Sequence, residues 1–558
     1  MPRRGPAFLP RRLVAGTRTT TSAMMSSRTA LLLTTHPTAP RKPQGNERMT
    51  AAEKRRWTLI ATILASAMTF IDGTVVNVAL PALQADLHAT ITDVQWVVEA
   101  YALFLGALIL VGGSMGDQLG RKRVFLFGTV FFTASSVVCG VATSPRVLIA
   151  GRALQGIGAA FLVPGSLAII SATFDDAERG RAIGTWSGFS AITTAIGPVI
   201  GGWLIEHVSW RAAFFINLPL AAVVVVLSLR YMDESKDPSR TSTIDWAGAL
   251  LAILGLGGIV FGLLEWPPLG PSDPLVIGSL ALGVLCLALL IVVERHAGNP
   301  MLPLHLFRSR TFTLANALTL LLYGALAVVL FLLPLNLIQV QHFTATRAGA
   351  ALVPFAIIMF GLSRWAGGLV NRLGARLPLT VGPVIAAFGI ALFARMGIGD
   401  SYWTAVFPAV CLLGFGLAIT VAPLTTTVMA AVDSTHSGVA SGINNAVARV
   451  AGLLAIAVFG VLLVRAFDAE MQSRLDRLSL APTARAQIEE QLPKMAGAEL
   501  ASVGLDPGQR AVVQRSIDEA FVSGFRMVVF GSAILALAAA GFGAAIRDRR
   551  DATDSSLT

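Results

Sequence analysis

Apolar positions in this chain come in unbroken runs of about 20 residues, each long enough to cross a ~30 Å hydrocarbon layer as an α-helix. Fourteen runs can be read, at 57–81, 94–116, 123–143, 147–172, 180–205, 212–231, 246–265, 275–293, 312–339, 346–370, 377–397, 403–430, 439–464 and 520–546. A transmembrane β-barrel needs alternation, which these runs lack, so the pattern predicts an all-α integral membrane protein of about 14 spans. One connection is long. Residues 466–518 carry leucines at helical spacing around Leu475, Leu478 and Leu480 and again near Leu492, with breaks at Pro482 and Pro507. That spacing predicts short amphipathic helices, forming either a small lid over the outer mouth or a solvated insertion without a role.

Basic residues in the short connections set the orientation. With the N-terminus inside, sixteen Lys and Arg fall in the inner connections and C-terminal tail, against Arg146, Arg211, Arg347 and Arg395 in the short outer ones. Both termini are therefore expected in the cytoplasm, as an even number of spans requires. An internal repeat organises the spans further. The connection after span 2 reads Gly113-Ser-Met-Gly116-Asp117-Gln-Leu-Gly120-Arg121-Lys122-Arg123, and the one after span 10 reads Gly367-Gly-Leu-Val-Asn371-Arg372-Leu-Gly374-Ala-Arg376. Aligning Asp117 on Asn371 brings Gly120 onto Gly374. The offset makes spans 1–6 and 9–14 equivalent halves with spans 7 and 8 inserted, a plan on which many secondary transporters carry substrate between the halves near the bilayer midplane.

Composition agrees: 54% of the 558 residues are hydrophobic, 13% are charged, and the mean hydropathy is +0.69. The net charge of +11 would ordinarily raise nucleic acid as a partner, but twelve basic and only two acidic residues lie in positions 1–56. The basicity belongs to a tail, not to a groove that could track phosphates. That tail is expected to be disordered. Met49-Thr-Ala-Ala-Glu-Lys-Arg-Arg reads as a natural start, so residues 1–48 are expected to be a mis-called start or an extension. The division expected is a tail at 1–56, a six-helix bundle at 57–231, two inserted helices at 246–293, a second six-helix bundle at 312–546 that includes the 466–518 connection, and a cytoplasmic tail at 547–558. Cys139, Cys286 and Cys411 lack metal or disulfide spacing, and no P-loop, GxSxG or HExxH motif appears, so an ATPase engine, a metal and an enzymatic role are not expected.

The loop Gly113–Arg123 resembles the signature loop of the major facilitator superfamily, and the count of fourteen resembles its drug:proton antiporter-2 branch. Other segments agree in order along residues 50–550. Asp72-Gly-Thr74-Val-Val-Asn77-Val-Ala-Leu-Pro81 is similar to that branch's first-helix motif. Arg152-Ala-Leu-Gln155-Gly156-Ile-Gly158 follows in span 4, then Gly188 and Gly197-Pro198-Val-Ile-Gly201-Gly202 in span 5, which resembles the antiporter motif of exporting families. Trp210-Arg211 to Asn217-Leu-Pro219 also looks like this branch. The resemblance implies a major facilitator fold and an antiporter driven by the proton gradient, with no cofactor. A periplasmic adaptor is the further partner it would imply in a double-membraned bacterium.

Ionisable groups at membrane depth are costly and are functional candidates. Asp72, Glu99 and Arg152 all fall in the outer halves of their spans and could meet. They form either a structural ion pair of Arg152 with one acid, or a proton-coupling site, because burial favours a neutral acid while a guanidinium favours the carboxylate. Asp72 is the favoured carrier; Glu99, nearer the water, is expected to contact substrate instead. The resemblance implies the carrier roles for Asp72 and Arg152. In the loop, Gly113 and Gly120 with Asp117 and Arg121 form a candidate conformational latch, or else a basic topogenic turn. In span 5, Gly188, Gly201 and Gly202 are expected to present a smooth face to the other half beside a kink at Gly197-Pro198. Asn77, Gln155, Asn444, Asn445 and Arg449 are candidate cavity-lining residues. Arg364 is expected to snorkel, and Glu265 to sit at an outer interface without a special role. The function expected is proton-coupled export of amphiphilic or cationic drugs across a bacterial cytoplasmic membrane by alternating access. Export of one specific metabolite is the alternative, and a membrane enzyme or receptor the third reading.

Overall fold

The computed structural model describes residues 50–236, 244–297, 300–433, 437–478 and 480–547. Residues 1–49 of the basic tail and all but the first residue of the C-terminal tail fall outside the described residues, as do the side chains of Arg364 and Asn371; the rest of the expected tail is not disordered, because Thr50 caps a helix whose first turns are residues 51–56. Among the described residues there is no strand, and fourteen helices are long and apolar enough to span a bilayer. They are α1 Ala51–Asp86, α2 Ile91–Leu119, α3 Arg121–Gly140, α4 Pro145–Thr173, α5 Glu178–His207, α6 Ala212–Tyr231, α7 Trp246–Leu269, α8 Pro274–His296, α9 Arg310–Val340, α10 Ala345–Leu362, α11 Arg376–Arg395, α12 Tyr402–Ala430, α13 Val439–Leu475 and α14 Pro507–Ala544. Exposed apolar side chains such as Phe127 on α3, Leu285 on α8 and Ile534 on α14 suit a surface solvated by lipid.

Local chemistry sets the helix ends. Thr50 with Glu53 and Thr90 with Asp93 form capping boxes that start α1 and α2, and Ser144 caps α4 just ahead of Pro145. Gly120 closes α2 at φ 117°, and Gly374 closes the equivalent connection at φ 79°. Both lie in the left-handed region that favours glycine. The repeat read from the sequence is thus a repeat of backbone conformation.

Packing repeats in the same way. In the first half α2 packs on α4, α3 on α4, α1 on α5, α1 on α6 and α3 on α6. In the second half α10 packs on α12, α11 on α12, α9 on α13, α9 on α14 and α11 on α14. Two seams join the halves: α2 against α13, and α5 against α10. The inserted α7 packs on both α2 and α13, with α8 behind it. It therefore covers one seam and leaves the other without an equivalent. Trp96 Nε1 on α2 donates to Glu265 Oε1 on α7 at 3.0 Å, so Glu265 pins the inserted pair to the first half, a role its sequence position did not suggest.

Glycines report which end is closed. At the end of α5 distal to the termini, a Cβ on Gly202 would strike the Ala345 carbonyl of α10, and one on Gly349 would strike the Pro198 carbonyl of α5. At the termini end of α5, Gly180, Gly184 and Gly188 face open space. Along the α5–α10 seam the halves therefore touch at the distal end, while the α5 glycines at the termini end meet no neighbour.

The long connection is not a solvated insertion. Both flanking helices outrun their apolar segments, α13 to Leu475 and α14 back to Pro507, and a compact cap lies between them with a helix at Pro482–Gln491 and short turns at Leu492–Gly497 and Leu500–Ser502. Ile488, Met495, Leu500 and Val503 are buried in the same core cluster as Leu80 and Leu83 of α1. Gln84 at the distal end of α1 donates to the Lys494 carbonyl at 2.9 Å and accepts from Gln339 of α9 at 2.7 Å. The cap thus bridges the halves. Gln84→Ala is expected to weaken that bridge by about 1–2 kcal/mol, the scale of two neutral hydrogen bonds. Amide exchange in 492–505 should rise severalfold while the α3 and α4 amides keep the parent's protection.

Candidate functional site

In the first half, one buried polar network joins five helices. Asp72 of α1 is fully buried, and its Oδ2 accepts from Arg152 Nη1 of α4 at 2.6 Å. Its Oδ1 accepts from Gln155 Nε2 at 2.7 Å and from Asn217 Nδ2 of α6 at 3.4 Å. Arg152 also donates to Gln155 Oε1 at 2.6 Å and, through Nε, to the Val97 carbonyl of α2 at 3.1 Å, while its guanidinium lies over the Tyr101 ring, 4.3 Å from the centroid. Ser136 of α3 accepts from both Gln155, at 2.8 Å, and Asn217, at 3.2 Å. A buried charge is tolerable only when it is paired and its remaining valences are hydrogen-bonded, and this set supplies both. Gln155 is therefore part of the ion-pair network, fully buried, and not a cavity-lining residue. Asn217 and Ser136 were not singled out as chemistry in the sequence. An amide within an otherwise apolar span was the signal for Asn217, but a serine in a membrane helix carries none.

Glu99 does not join this network. It is fully buried, so it does not sit near water as its depth suggested, and neither carboxylate oxygen has a hydrogen-bond partner. Arg152 pairs with Asp72, not with Glu99.

Between the halves lies a cavity of about 170 Å³. Thr74, Asn77 and Val78 line it from α1, Thr194 and Pro198 from α5, Leu330 and Pro334 from α9, and Leu352, Phe355, Ala356 and Met359 from the α10 segment. Asn77 lines it as the sequence suggested, and no carboxylate does. Asp72 shares α1 with Thr74 and Asn77 but turns into its own half. Drug-sized ligands fill ~300–1,000 Å³, so the halves would have to part further to hold one. The cavity lies beside the α5–α10 seam, the one without an inserted helix. Leu330, Phe355 and Met359 escaped the sequence reading because apolar residues in a membrane span carry no mark of facing a cavity.

The other candidates are placed as follows. Asn444 donates to Thr319 at 2.7 Å and to Asn316 at 3.1 Å, tying α13 to α9 within the second half. Asn445 is exposed and donates to the Ser441 carbonyl. The Arg449 Cβ lies against the Gly106 position of α2. Gly197 and Gly201 pack on Thr74 and Val75 of α1, so only Gly202 meets the other half, and α5 continues as a helix through Pro198. In the loop, Arg121 donates to Asp117 at 2.9 Å, and Gly113 lies close to Pro164 of α4. Glu234, not foreseen, accepts from the Lys122 and Arg123 amides at 3.0 and 3.3 Å, a carboxylate on the positive end of α3. Lys122 Nζ answers by donating to the Met232 carbonyl at 2.6 Å.

Comparison with known proteins places this geometry. Residues 62–456 match the Major Facilitator Superfamily. Multidrug resistance protein Stp of Mycobacterium tuberculosis is 34% identical over 477 residues, covering 85% of this chain and 88% of its own. The tetracenomycin C resistance and export protein of Streptomyces glaucescens is 31% identical over 501 residues, covering 87% and 90%. Among solved structures, a bacterial homologue of the human lysosomal transporter Spinster, inward-facing and unoccupied, superposes with a TM-score of 0.60 at 16% identity, covering 88% of this chain and 96% of that one. With the repeated halves, the shared seams and these relatives together, the chain belongs to the major facilitator superfamily.

Proposed function

We propose that the protein is a proton-coupled exporter of amphiphilic compounds, of the drug:proton antiporter-2 type, working by alternating access with its termini in the cytoplasm. The cavity between the halves carries this reading. Its lining is mostly apolar, with Phe355, Met359 and two prolines, and only Thr74, Asn77 and Thr194 supply polar contacts. Such a surface suits apolar bodies of varied shape, where one small polar metabolite would call for clustered hydrogen-bonding groups. The names of the resistance and export relatives agree. With no carboxylate in the lining, a positive charge on the substrate is not a requirement.

Energy enters through Asp72. Protonation would neutralise its carboxylate and release Arg152 and Gln155 from it, loosening α1 from α4. Thr74, Asn77 and Val78 ride on the same helix, so a shift of α1 reaches the cavity. The bias of basic residues toward the termini end supports a cytoplasmic placement of that end in the bacterial inner membrane. No cofactor is needed beyond the proton gradient.

The test is transport into proteoliposomes with and without an imposed pH gradient, using neutral and cationic amphiphiles matched in size beside small polar metabolites. Both kinds of amphiphile should accumulate only with the gradient. Accumulation of one polar metabolite with no amphiphile moved would overturn the reading.

A further inference from the structure

The α2–α13 seam carries an acid that the transport reading does not yet use. On α2, Val97 and Tyr101 meet Arg152 of α4 through the Val97 carbonyl and the Tyr101 ring. Gln95 instead reaches Gly460 of α13, Gly106 faces Arg449 and Val450, and Leu110 lies against Gly442. At 100° per residue, Glu99 falls between Gln95 and Gly106 on the α13 face, turned away from the α4 face. Reading the antiparallel contacts across places it level with Ile456, between Leu453 and Gly460.

Two observations converge there. Both Glu99 oxygens and the neighbouring Gln95 Nε2 are buried without a hydrogen-bond partner, one turn apart on the same face. The surroundings are apolar: Leu103, Leu256, Val260, Leu453 and Ala457 form one buried cluster in which α2, α7 and α13 meet. The charged groups on the elements packed against α2 are engaged or distant. Arg152 and Asp72 pair with each other on the opposite side, Glu265 of α7 is held by Trp96, and Asp93 is bonded to Thr90. Lys494 of the cap pairs with Glu499, and Arg449 of α13 lies two turns of α2 away, beside Gly106. On the distal side of α13, Arg465 lies over the Trp266 ring with Asp468 one turn beyond it, about three turns past the level of Glu99. A carboxylate so placed would be a bare charge in a dry seam, whereas a neutral acid is far less costly.

We propose that Glu99 is a second protonation site, at which uptake of one proton accompanies closure of the distal end of the α2–α13 seam. When the seam parts, water reaches Glu99 and the carboxylate forms, giving its proton to that water. Closing expels the water, so one carboxylate oxygen must first bind a proton from the distal side. Asp72 sits inside one half and responds to substrate-linked movement of α1; Glu99 sits between the halves and responds to the gate. The inference deepens the proton-coupled reading and rests on it for the gradient that supplies the proton.

The experiment is a pH titration of the distance between spin labels at Thr92 on α2 and Ala469 on α13, on the full chain in lipid nanodiscs. The parent should shift from a short to a long distance as pH rises. Glu99→Gln should stay short throughout. Glu99→Asp, which keeps a titratable group on a shorter arm, should keep the transition with a displaced midpoint. An unchanged transition in Glu99→Gln overturns the proposal, as does an unmoved midpoint in Glu99→Asp should the glutamine variant fail to fold. Asp72→Asn combined with Arg152→Gln, which removes the carrier without leaving a buried charge unpaired, separates the two readings: the parent's transition should persist in it. Its loss there, with Glu99→Gln unaffected, would assign the gate to Asp72 and leave proton-coupled export standing.

Discussion

Asp72→Asn is expected to abolish gradient-driven export and to lower the stability of the protein at once. Both follow from the same contacts. The variant cannot cycle a proton at that position, and it leaves the Arg152 guanidinium, 1% exposed, without a counter-charge. Removing one partner of a buried pair typically costs about 3–5 kcal/mol, because the remaining charge stays desolvated. A loss of transport in the single variant is therefore ambiguous between a carrier and a structural pair. Asp72→Asn combined with Arg152→Gln resolves it. With both charges gone, amides at both positions can still bond with Gln155, Asn217 and Ser136, and the thermal midpoint should return most of the way to the parent's. Coupling between residues in contact makes such recovery the expected pattern. Export should not return. A double variant that regains stability and also accumulates substrate on a pH gradient would make the pair structural and remove Asp72 as carrier.

Gly349→Val is expected to have the second large effect, on gating. The Gly349 Cβ position lies against the Pro198 carbonyl across the α5–α10 seam, backbone against backbone, with no flexible side chain to give way. Overpacking of this kind costs about 1–3 kcal/mol. Since that penalty applies only where the seam is closed, it shifts the balance between distal-closed and distal-open forms by roughly 5- to 150-fold. Export should fall accordingly while the protein stays folded. A cysteine placed at Thr74, in the cavity, should become alkylated from the distal side by an impermeant reagent. Gly188→Val adds the same atoms where the glycine faces open space, and should leave that distal reactivity as low as in the parent.

The span count and the repeat were legible because each rests on a strong local signal: unbroken apolarity for the spans, and a glycine that must take positive φ for the connection. Helix ends at the long connection were not. The apolar run of span 13 stops near residue 464, but α13 continues to Leu475 because Arg474 pairs with Glu470 one turn back and with Glu519 of α14, joined by Arg515–Glu519 on that helix. Hydropathy measures where lipid ends, not where a helix does. That Arg152 meets a buried acid was readable from depth, since Asp72, Glu99 and Arg152 all lie in the distal halves of their helices; which acid it meets was not. Depth could not separate Glu99 from Asp72. Glu99 is only two residues from Val97, yet two residues are 200° of helix rotation, which turns it from the Arg152 side to the α13 seam. The rotation of a helix in an all-apolar environment leaves no trace in hydropathy, and for that reason Gln155 was also assigned to the cavity when it belongs to the ion-pair network.

Exchange of an outward-moving amphiphile for protons through Asp72 is read out by substrate-driven proton flux. Proteoliposomes loaded with a transported amphiphile and a trapped pH-sensitive dye are diluted into substrate-free buffer of the same pH. In the parent, substrate efflux should drive a proton flux in the opposite direction, and in the Asp72→Asn/Arg152→Gln protein none. Substrate efflux at the parent's full rate with no movement of protons would contradict that exchange.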